Sequence, residues 1–548
     1  MPTPDRRRFL ALSTATGASA LVLGGTAAHA LDDLTASLLG GRPAGPGHLA
    51  EPALPVPPLP DPLQEGRATA PPAGTRIPYA RGPVDARAAA RGIPAEAPFT
   101  FKTSGYRCAR SVRDVLRPWR DRDAPRVDTA PHDIHGVRMF ELDGRLYDHP
   151  VGQIQFGLQN ITSYRRTGDL FYLNRARAQA KRLIDRRIEA RGAWWFPYPF
   201  DWAHAVHTGL AYRAPWYSGM AQGEALSLFA QLIELPAVDA TERARYRAAA
   251  DGAFASLLKA GPRKPWVTAR DGAGYLWIHE YPMDPPGTSD YTYNGYMFAA
   301  LGLWDYVQLT GNALAERLFD GALTALDVYF AAMRNKGWLS DYCLTHQIPT
   351  ASYHPVHINL LRQLHWLSGS VRLAHLSDVL MDDHPHPKLG AGGGTISLAA
   401  GRYTLYRFSA SGAVTASRAV TFSRDTAATA SHRTRIKGGG VHYLISSGAY
   451  QGWYVPEFYP RVYLRGEWFR SVYAPRRTAT FPAQVSVECH KVAADGTITG
   501  IRTVSFPHDS AAPFDRRSIV NGRPMVRITA GPLTGFWAPS SHVRSDGR

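Results

Sequence analysis

The sequence predicts a multidomain α+β protein in which a helical region, built as an α/α toroid or incomplete barrel, precedes a repeated all-β region. Three observations carry that expectation. The chain of 548 residues is too long for one ordinary core. Between about Val151 and Leu380 apolar residues recur at helical spacing, and SYRRTGD, DYVQLTGN and HWLSGS each place an aromatic a turn or so before a glycine that follows Ser or Thr. Further on, YLISSGAYQGWYVPE (Tyr443 to Glu457) returns 83 residues later as VRITAGPLTGFWAPS (Val526 to Ser540), with both glycines and the aromatic pair in register.

Residues 1–30 read as a twin-arginine export signal. Arg6-Arg7-Arg8-Phe9-Leu10 precedes an apolar run rich in Gly, Ala, Ser and Thr that stops at Ala28-His29-Ala30, a small-x-small cleavage site. A single membrane span is the alternative, and that composition favours cleavage. The mature protein is therefore expected outside the cytoplasm, extracellular or cell-wall associated, without a membrane anchor. Residues 31–98, with runs such as EPALPVPPLPDPL, are too rich in Pro, Ala, Gly and Arg to build a core and read as a linker. Residues 99–147 read as a short β preface that closes with VRMFELDGRLYD, a hairpin turning at Asp143-Gly144.

Residues 148–384 are the expected toroid. Each glycine ending is a helix C-cap that leads into another helix, and loops rich in Trp, Tyr and Pro join the hairpins. Residues 385–548 are two tandem β repeats, supported by alternating Val, Ile, Tyr and Thr and by the Asp495-Gly496 turn. This last region carries a net charge of +13 out of +17 for the whole chain. An excess of that sign outside the cell suits an anionic polymer or a cell-wall glycan rather than nucleic acid; the plain alternative is a soluble arginine-rich surface. Trp453-Tyr454 and Phe536-Trp537 follow glycines where an aromatic platform could project, although a place in the β core is the simpler reading. The three cysteines, Cys108, Cys343 and Cys489, are scattered and odd in number, so no disulfide framework is signalled.

Four stretches at helix boundaries combine aromatics with a few polar groups: APWYSGMAQGEALSL from Ala214, WIHEYPMDPPGTSDYTYNGYMF from Trp277, LSDYCLTH from Leu339 and SYHPVHINLLRQL from Ser352. Aromatic rings at such mouths stack on the apolar faces of sugars, and tyrosine adds a hydroxyl. His354 and His357 stand three apart at a helix start, but no Cys or carboxylate lies nearby in sequence to complete a metal set, so no metal ligand is expected. His365, further along the same helix, is expected to pack.

With HPVGQIQFGLQN (His149 to Asn160), Glu280-Tyr281-Pro282, Asn294-Gly295 and Tyr353-His354-x-x-His357-Ile358-Asn359, these stretches make the region from about Tyr147 to Leu367 similar to the C-terminal catalytic domain of the D-glucuronyl C5-epimerases. Those enzymes invert uronic acid residues within heparosan-type polymers. The resemblance implies functional positions at Glu280, Tyr281, Tyr342 and Tyr353, with Tyr353 and Glu280 moving protons on opposite faces of the sugar and Tyr281 and Tyr342 supporting or relaying. It implies substrate contacts from Trp216, Tyr217, Gln222, Asn294, His346, His354, His357 and Asn359. It also implies a uronic-acid polysaccharide as substrate and a tendency to dimerise. No cofactor is required by that chemistry, and a structural divalent cation is neither excluded nor indicated.

The sequence departs from the family pattern in three ways. The β repeats follow the helices instead of preceding them. Thr345 stands where an arginine precedes the histidine, and the loop from Tyr342 to Tyr353 lacks an arginine and a tryptophan before Tyr353. These losses remove cationic contacts and leave a uronate polymer other than a heparan-like one open. Two rival readings share part of the evidence: a uronate polysaccharide lyase, which begins with the same proton abstraction, and a non-catalytic glycan-binding protein.

Overall fold

The computed structural model describes residues 100–204, 211–284, 286–409 and 412–548; the expected export signal and linker lie outside them. Two compact units emerge. One comprises the chain up to Met333 together with Tyr342–Ile348, the other Arg334–Asp341 together with Pro349–Arg548.

In the first unit, residues 100–139 carry little regular structure beyond one 3₁₀ turn at Asp114–Leu116, so the β preface reduces to a hairpin. Its strands, β1 (Phe140–Leu142) and β2 (Arg145–Tyr147), turn at Asp143-Gly144 with φ of 51° and 73°, the paired left-handed conformation that two-residue hairpins need. Six helices follow: α1 (Pro150–Thr167), α2 (Leu170–Arg186), α3 (Gly219–Ile233), α4 (Ala240–Leu257), α5 (Tyr293–Thr310) and α6 (Ala313–Met333). Local chemistry sets their limits. His149 Nδ1 accepts the amide of Gly152 ahead of Pro150 at the first turn of α1, and Asp239 with Glu242 forms a capping box at α4. Two of the predicted C-cap glycines, Gly168 and Gly311, end α1 and α5 with φ of 71° and 67°.

The helices pair as successive antiparallel hairpins, α1 with α2, α3 with α4 and α5 with α6, and α3 also packs against both α1 and α5. Helix α3 is buried around its whole circumference from Gly219 to Leu232, and α5 from Tyr293 to Val307, whereas α2 buries one stripe. An inner row with outer partners is the result. Backbones touch where α3 crosses α5: a Cβ on Gly302 would lie 1.7 Å from the carbonyl oxygen of Gly223. Three small hairpins fill the connections: β3 (Ile188–Ala190) with β4 (Ala193–Trp195), β5 (Trp202–Ala203) with β6 (Ala211–Tyr212), and β7 (Thr268–Arg270) with β8 (Leu276–Ile278).

The second unit begins with a helix pair, α7 (His354–Ser368) and α8 (Val371–Asp383), whose turn is the third predicted cap, Gly369 at φ 72°. Strands β9 (Gly394–Leu398), β10 (Gly401–Phe408), β11 (Val414–Phe422), β12 (Thr426–Arg435), β13 (Val441–Ile445), β14 (Tyr454–Pro456) and β15 (Val462–Leu464) form one seven-stranded antiparallel sheet in the order β11-β10-β14-β13-β12-β9-β15. Strands β16 (Glu467–Phe481), β17 (Val487–Val492), β18 (Ile498–Val504), β19 (Ser510–Val520), β20 (Arg523–Ile528), β21 (Trp537–Pro539) and β22 (Arg544–Ser545) form a second in the order β18-β17-β21-β20-β19-β16-β22. Adding seven to each strand number of the first order gives the second. The sequence repeat is thus one topology built twice, each copy with its own apolar core. Trp537 is 5 % exposed and Trp453 packs against the core of the first sheet, so both serve the β core rather than a projecting platform.

The helix pair packs on β16 (Glu467–Phe481). Trp366 Nε1 donates to the carbonyl of Val472 at 2.9 Å, and His365 joins Ser370 to the amide of Ala474, the packing role expected of it. Arg477, fully buried, meets Asp378 at 2.7 Å and Asp546 at 2.9 Å. Burial of that guanidinium is tolerable because both neighbours are anionic. All three cysteines are free and buried. Among the described residues no helix is long and apolar enough to cross a membrane.

Candidate active site

The connections after α2 and α4 carry most of the chemistry of the first unit. Strand β8 ends at Ile278, and the chain runs directly into His279, Glu280 and Tyr281 before turning towards α5. Glu280 is buried, and Asn294 on the first turn of α5 donates to its Oε2 at 3.2 Å. The next residue must be glycine, since a Cβ on Gly295 would fall 2.3 Å from that same oxygen. Burial pushes the Glu280 carboxyl up to about 7; the field of Asp290 adds to this, while hydrogen bonds from Tyr281, Thr292 and Asn294 pull the other way. A carboxyl poised there can both accept and return a proton near neutral pH.

Tyr281 stands against an aromatic wall: its ring centroid is 4.7 Å from His204, 5.7 Å from Tyr212 and 6.1 Å from Trp216. The Tyr342 ring also lies near His204, with ring centres 6.1 Å apart. The segment Tyr342–Ile348 reaches this place because it zips onto the chain before α5: Tyr293 N donates to Tyr342 O, Leu344 N to Tyr291 O, and Thr345 Oγ1 to Ser289 O. Cys343 and His346 arrive with it. His346 Nδ1 lies 2.8 Å from Oδ1 of the fully buried Asp290 and 3.4 Å from Cys343 Sγ.

The structure therefore brings together Glu280, Tyr281, Asn294, Tyr342 and His346 within one unit. The other expected positions lie in different surroundings. Gln222 is wholly buried, accepting from Phe196 N and donating to Trp194 O and Ser256 Oγ, so its amide braces a loop against α3 and α4. Trp216 is buried too, stacked on Tyr198 at 3.9 Å with its indole N–H donating to Phe200 O, and it backs Tyr281 as packing. Tyr217 is half-buried beside Trp195, ring centres 5.5 Å apart.

In the second unit Tyr353 occupies the N-cap of α7 and is partly exposed. His354 and His357 make their contacts within that unit. Ser340 lies against both: its amide donates to His354 Nδ1 at 2.8 Å and its hydroxyl meets His357 Nδ1 at 2.8 Å. His354 Nε2 donates in turn to the carbonyls of Leu380 and His384. Burial drives both imidazoles down, to about 4 and about 3, so both are neutral near pH 7. Asn359 pairs with Arg362 Nη2 at 2.7 Å.

Three residues of the first unit escaped the sequence reading. His204, near both tyrosine rings, and Asp290, beside His346, owe their place to tertiary folding and have no local signature. Glu224 did have one: it is a lone acid on a helix without a polar face. It is fully buried, takes a hydrogen bond from Gln155 Nε2 at 2.9 Å, and burial holds its carboxyl far above the usual range.

With this geometry in hand, comparison with known families gives one match. Residues 189–377, about a third of the chain, fit the family model described as D-glucuronyl C5-epimerase C-terminus. The match opens in β3, closes in α8, and spans Glu280, Tyr281, Tyr342 and Tyr353.

Proposed function

From residues 189–377 as a D-glucuronyl C5-epimerase C-terminal domain, we propose that the protein is a C5-epimerase acting on uronic acid residues within an anionic polysaccharide, with the helical hairpins forming an arc of an α/α toroid. The single observation that carries the reading is Glu280, a buried carboxyl raised to about 7 beside a tyrosine, inside the matched segment.

Inversion at C5 removes a proton α to a carboxylate and returns one to the opposite face. Two proton carriers are needed, and the charge that builds on the substrate carboxylate must be met by donors or a cation. Glu280 is one carrier. Its bond with Tyr281 couples it to a hydroxyl that can pass a proton on, and His204 lies against the rings of both Tyr281 and Tyr342. The second carrier is sought among the matched hydroxyls Tyr281, Tyr342 and Tyr353 by single Phe substitutions, of which that at the true partner should abolish inversion while deuterium exchange on the face served by Glu280 persists. Export, an extracellular or cell-wall location, homodimer formation and a glycan-holding role for the β repeats belong to the same proposal.

Incubation with a panel of uronate polymers in deuterium oxide tests it. Deuterium entering C5 with chain length retained is the expected result. A new unsaturated-uronate absorbance would mean a lyase. Silence towards every polymer, with tight binding to one, would leave a glycan-binding protein.

A further inference from the structure

We propose that Asp290, Cys343 and His346 bind a zinc ion through a carboxylate oxygen, the thiolate sulfur and Nδ1, leaving a fourth position to water. The three donor atoms already lie within 4.8 Å of one another. They come from two segments held in register by backbone bonds, with Thr292 and Cys343 as an antiparallel bridge, so the arrangement does not depend on loose side chains alone.

The three groups already face one another: His346 Nδ1 lies 2.8 Å from Asp290 Oδ1 and 3.4 Å from Cys343 Sγ, and Cys343 shares a hydrogen bond with Asp290. A shared ion would replace these mutual contacts with one centre. Sulfur receives further help, because the amide of His346 donates to Cys343 Sγ at 3.3 Å, an arrangement that stabilises sulfur as an anion.

Spacing and donor type both point to zinc. Cys343-Leu-Thr-His346 is a Cys-x-x-His pair, and a mixed thiolate, imidazole and carboxylate set suits a borderline-soft ion rather than calcium or magnesium. Ordinary zinc bond lengths at tetrahedral angles put sulfur and nitrogen about 3.5 Å apart and nitrogen and oxygen about 3.3 Å apart. The sulfur–nitrogen distance is already there; the carboxylate must withdraw by about half an ångström. Loading replaces the thiol proton, which leaves to solvent as the sulfur–zinc bond forms. His346, 31 % exposed at its side chain, gives the ion a route in. His204 Nε2, 4.0 Å from Asp290 Oδ2, is placed to orient the carboxylate from behind.

The test reads metal at equilibrium and needs no substrate, so its failure leaves the epimerase reading standing, and the reverse holds as well. Protein stripped with chelator, reloaded with zinc and desalted is expected to hold one zinc per chain by mass spectrometry. Cys343→Ser and His346→Ala should each lose it. The cobalt form should show a sulfur-to-metal charge-transfer band that Cys343→Ser abolishes. Should a variant fail to fold, the intact protein decides: zinc must slow alkylation of Cys343, mapped by peptide. Sub-stoichiometric zinc after reloading, a cobalt spectrum without a sulfur band, or alkylation indifferent to zinc would overturn the proposal.

Discussion

Glu280 gains its character from where it is put. Ordinary glutamate is ionised at neutral pH and returns a proton poorly; burial beside Asn294 and Tyr281 moves it to about 7. Replacement by glutamine keeps the shape and the bond to Asn294 but removes the proton. Glu280→Gln is expected to lower C5 exchange by about 10²–10⁴-fold while leaving the unfolding temperature unchanged or slightly higher. If Glu280 acts as the base, exchange by the unaltered protein should climb as pH rises through about 7, because only the ionised form accepts a proton, and the variant should lose that climb. A variant with full activity would remove Glu280 from the mechanism. Legibility at this scale followed chemistry that sits close together in sequence. Glu280-Tyr281 and Asn294-Gly295 could be picked out, whereas His204 and Asp290 could not, since only folding brings them to His346 and the tyrosines. The contact of His354 and His357 with Ser340 was not legible either, because Ser340 precedes them by more than three helical turns' worth of chain and leaves no mark in the local pattern.

At the level of elements, helix ends were legible and short strands were not. The Ser/Thr-Gly endings at Gly168, Gly311 and Gly369 each adopt the left-handed cap, because a helix stops where a residue without a Cβ can turn the chain. Strands β3 to β8, two or three residues each, are too brief to show alternation. The crossing of α3 and α5 makes a sharper demand than either helix alone. Gly302 faces the carbonyl of Gly223, and a Cβ on Gly223 would lie 2.3 Å from Ala299 Cα, so backbone meets backbone with no side chain to yield. Gly302→Ala gains helix propensity yet should destabilise the first unit by about 1–3 kcal/mol or more through overpacking, measured by denaturant unfolding. Equal stability would mean that the helices can slide apart.

Across the described residues of the molecule, histidines held down by burial outnumber acids raised by it. His149, His354, His365 and His375 are held down to about 4, and His279 and His357 to about 3, all chiefly by burial. Each is neutral when folded but binds a proton in the unfolded chain below about 6.5, so its contribution is present above that pH and is lost on acidification. Glu280 at about 7, Asp305 at about 6 and Glu224 act in the opposite sense, favouring the fold at low pH and losing that advantage as pH rises. His384, His432 and His442 are also lowered by burial and Asp341 is raised by it, so nine such histidines stand against four such acids among the described residues, and the unfolding temperature should fall between about pH 7.5 and about pH 5; a flat or rising profile would show that the acids prevail. The tandem sheets were the most legible feature at this scale, because a repeat 83 residues apart survives in the order of strands as well as in the letters. The free thiols carry a different consequence. With no covalent crosslink to form, the chain needs no oxidant to finish folding, and its core closes as well in a reducing compartment as in an oxidising one. The fold thus carries no redox requirement of its own, whichever compartment it works in.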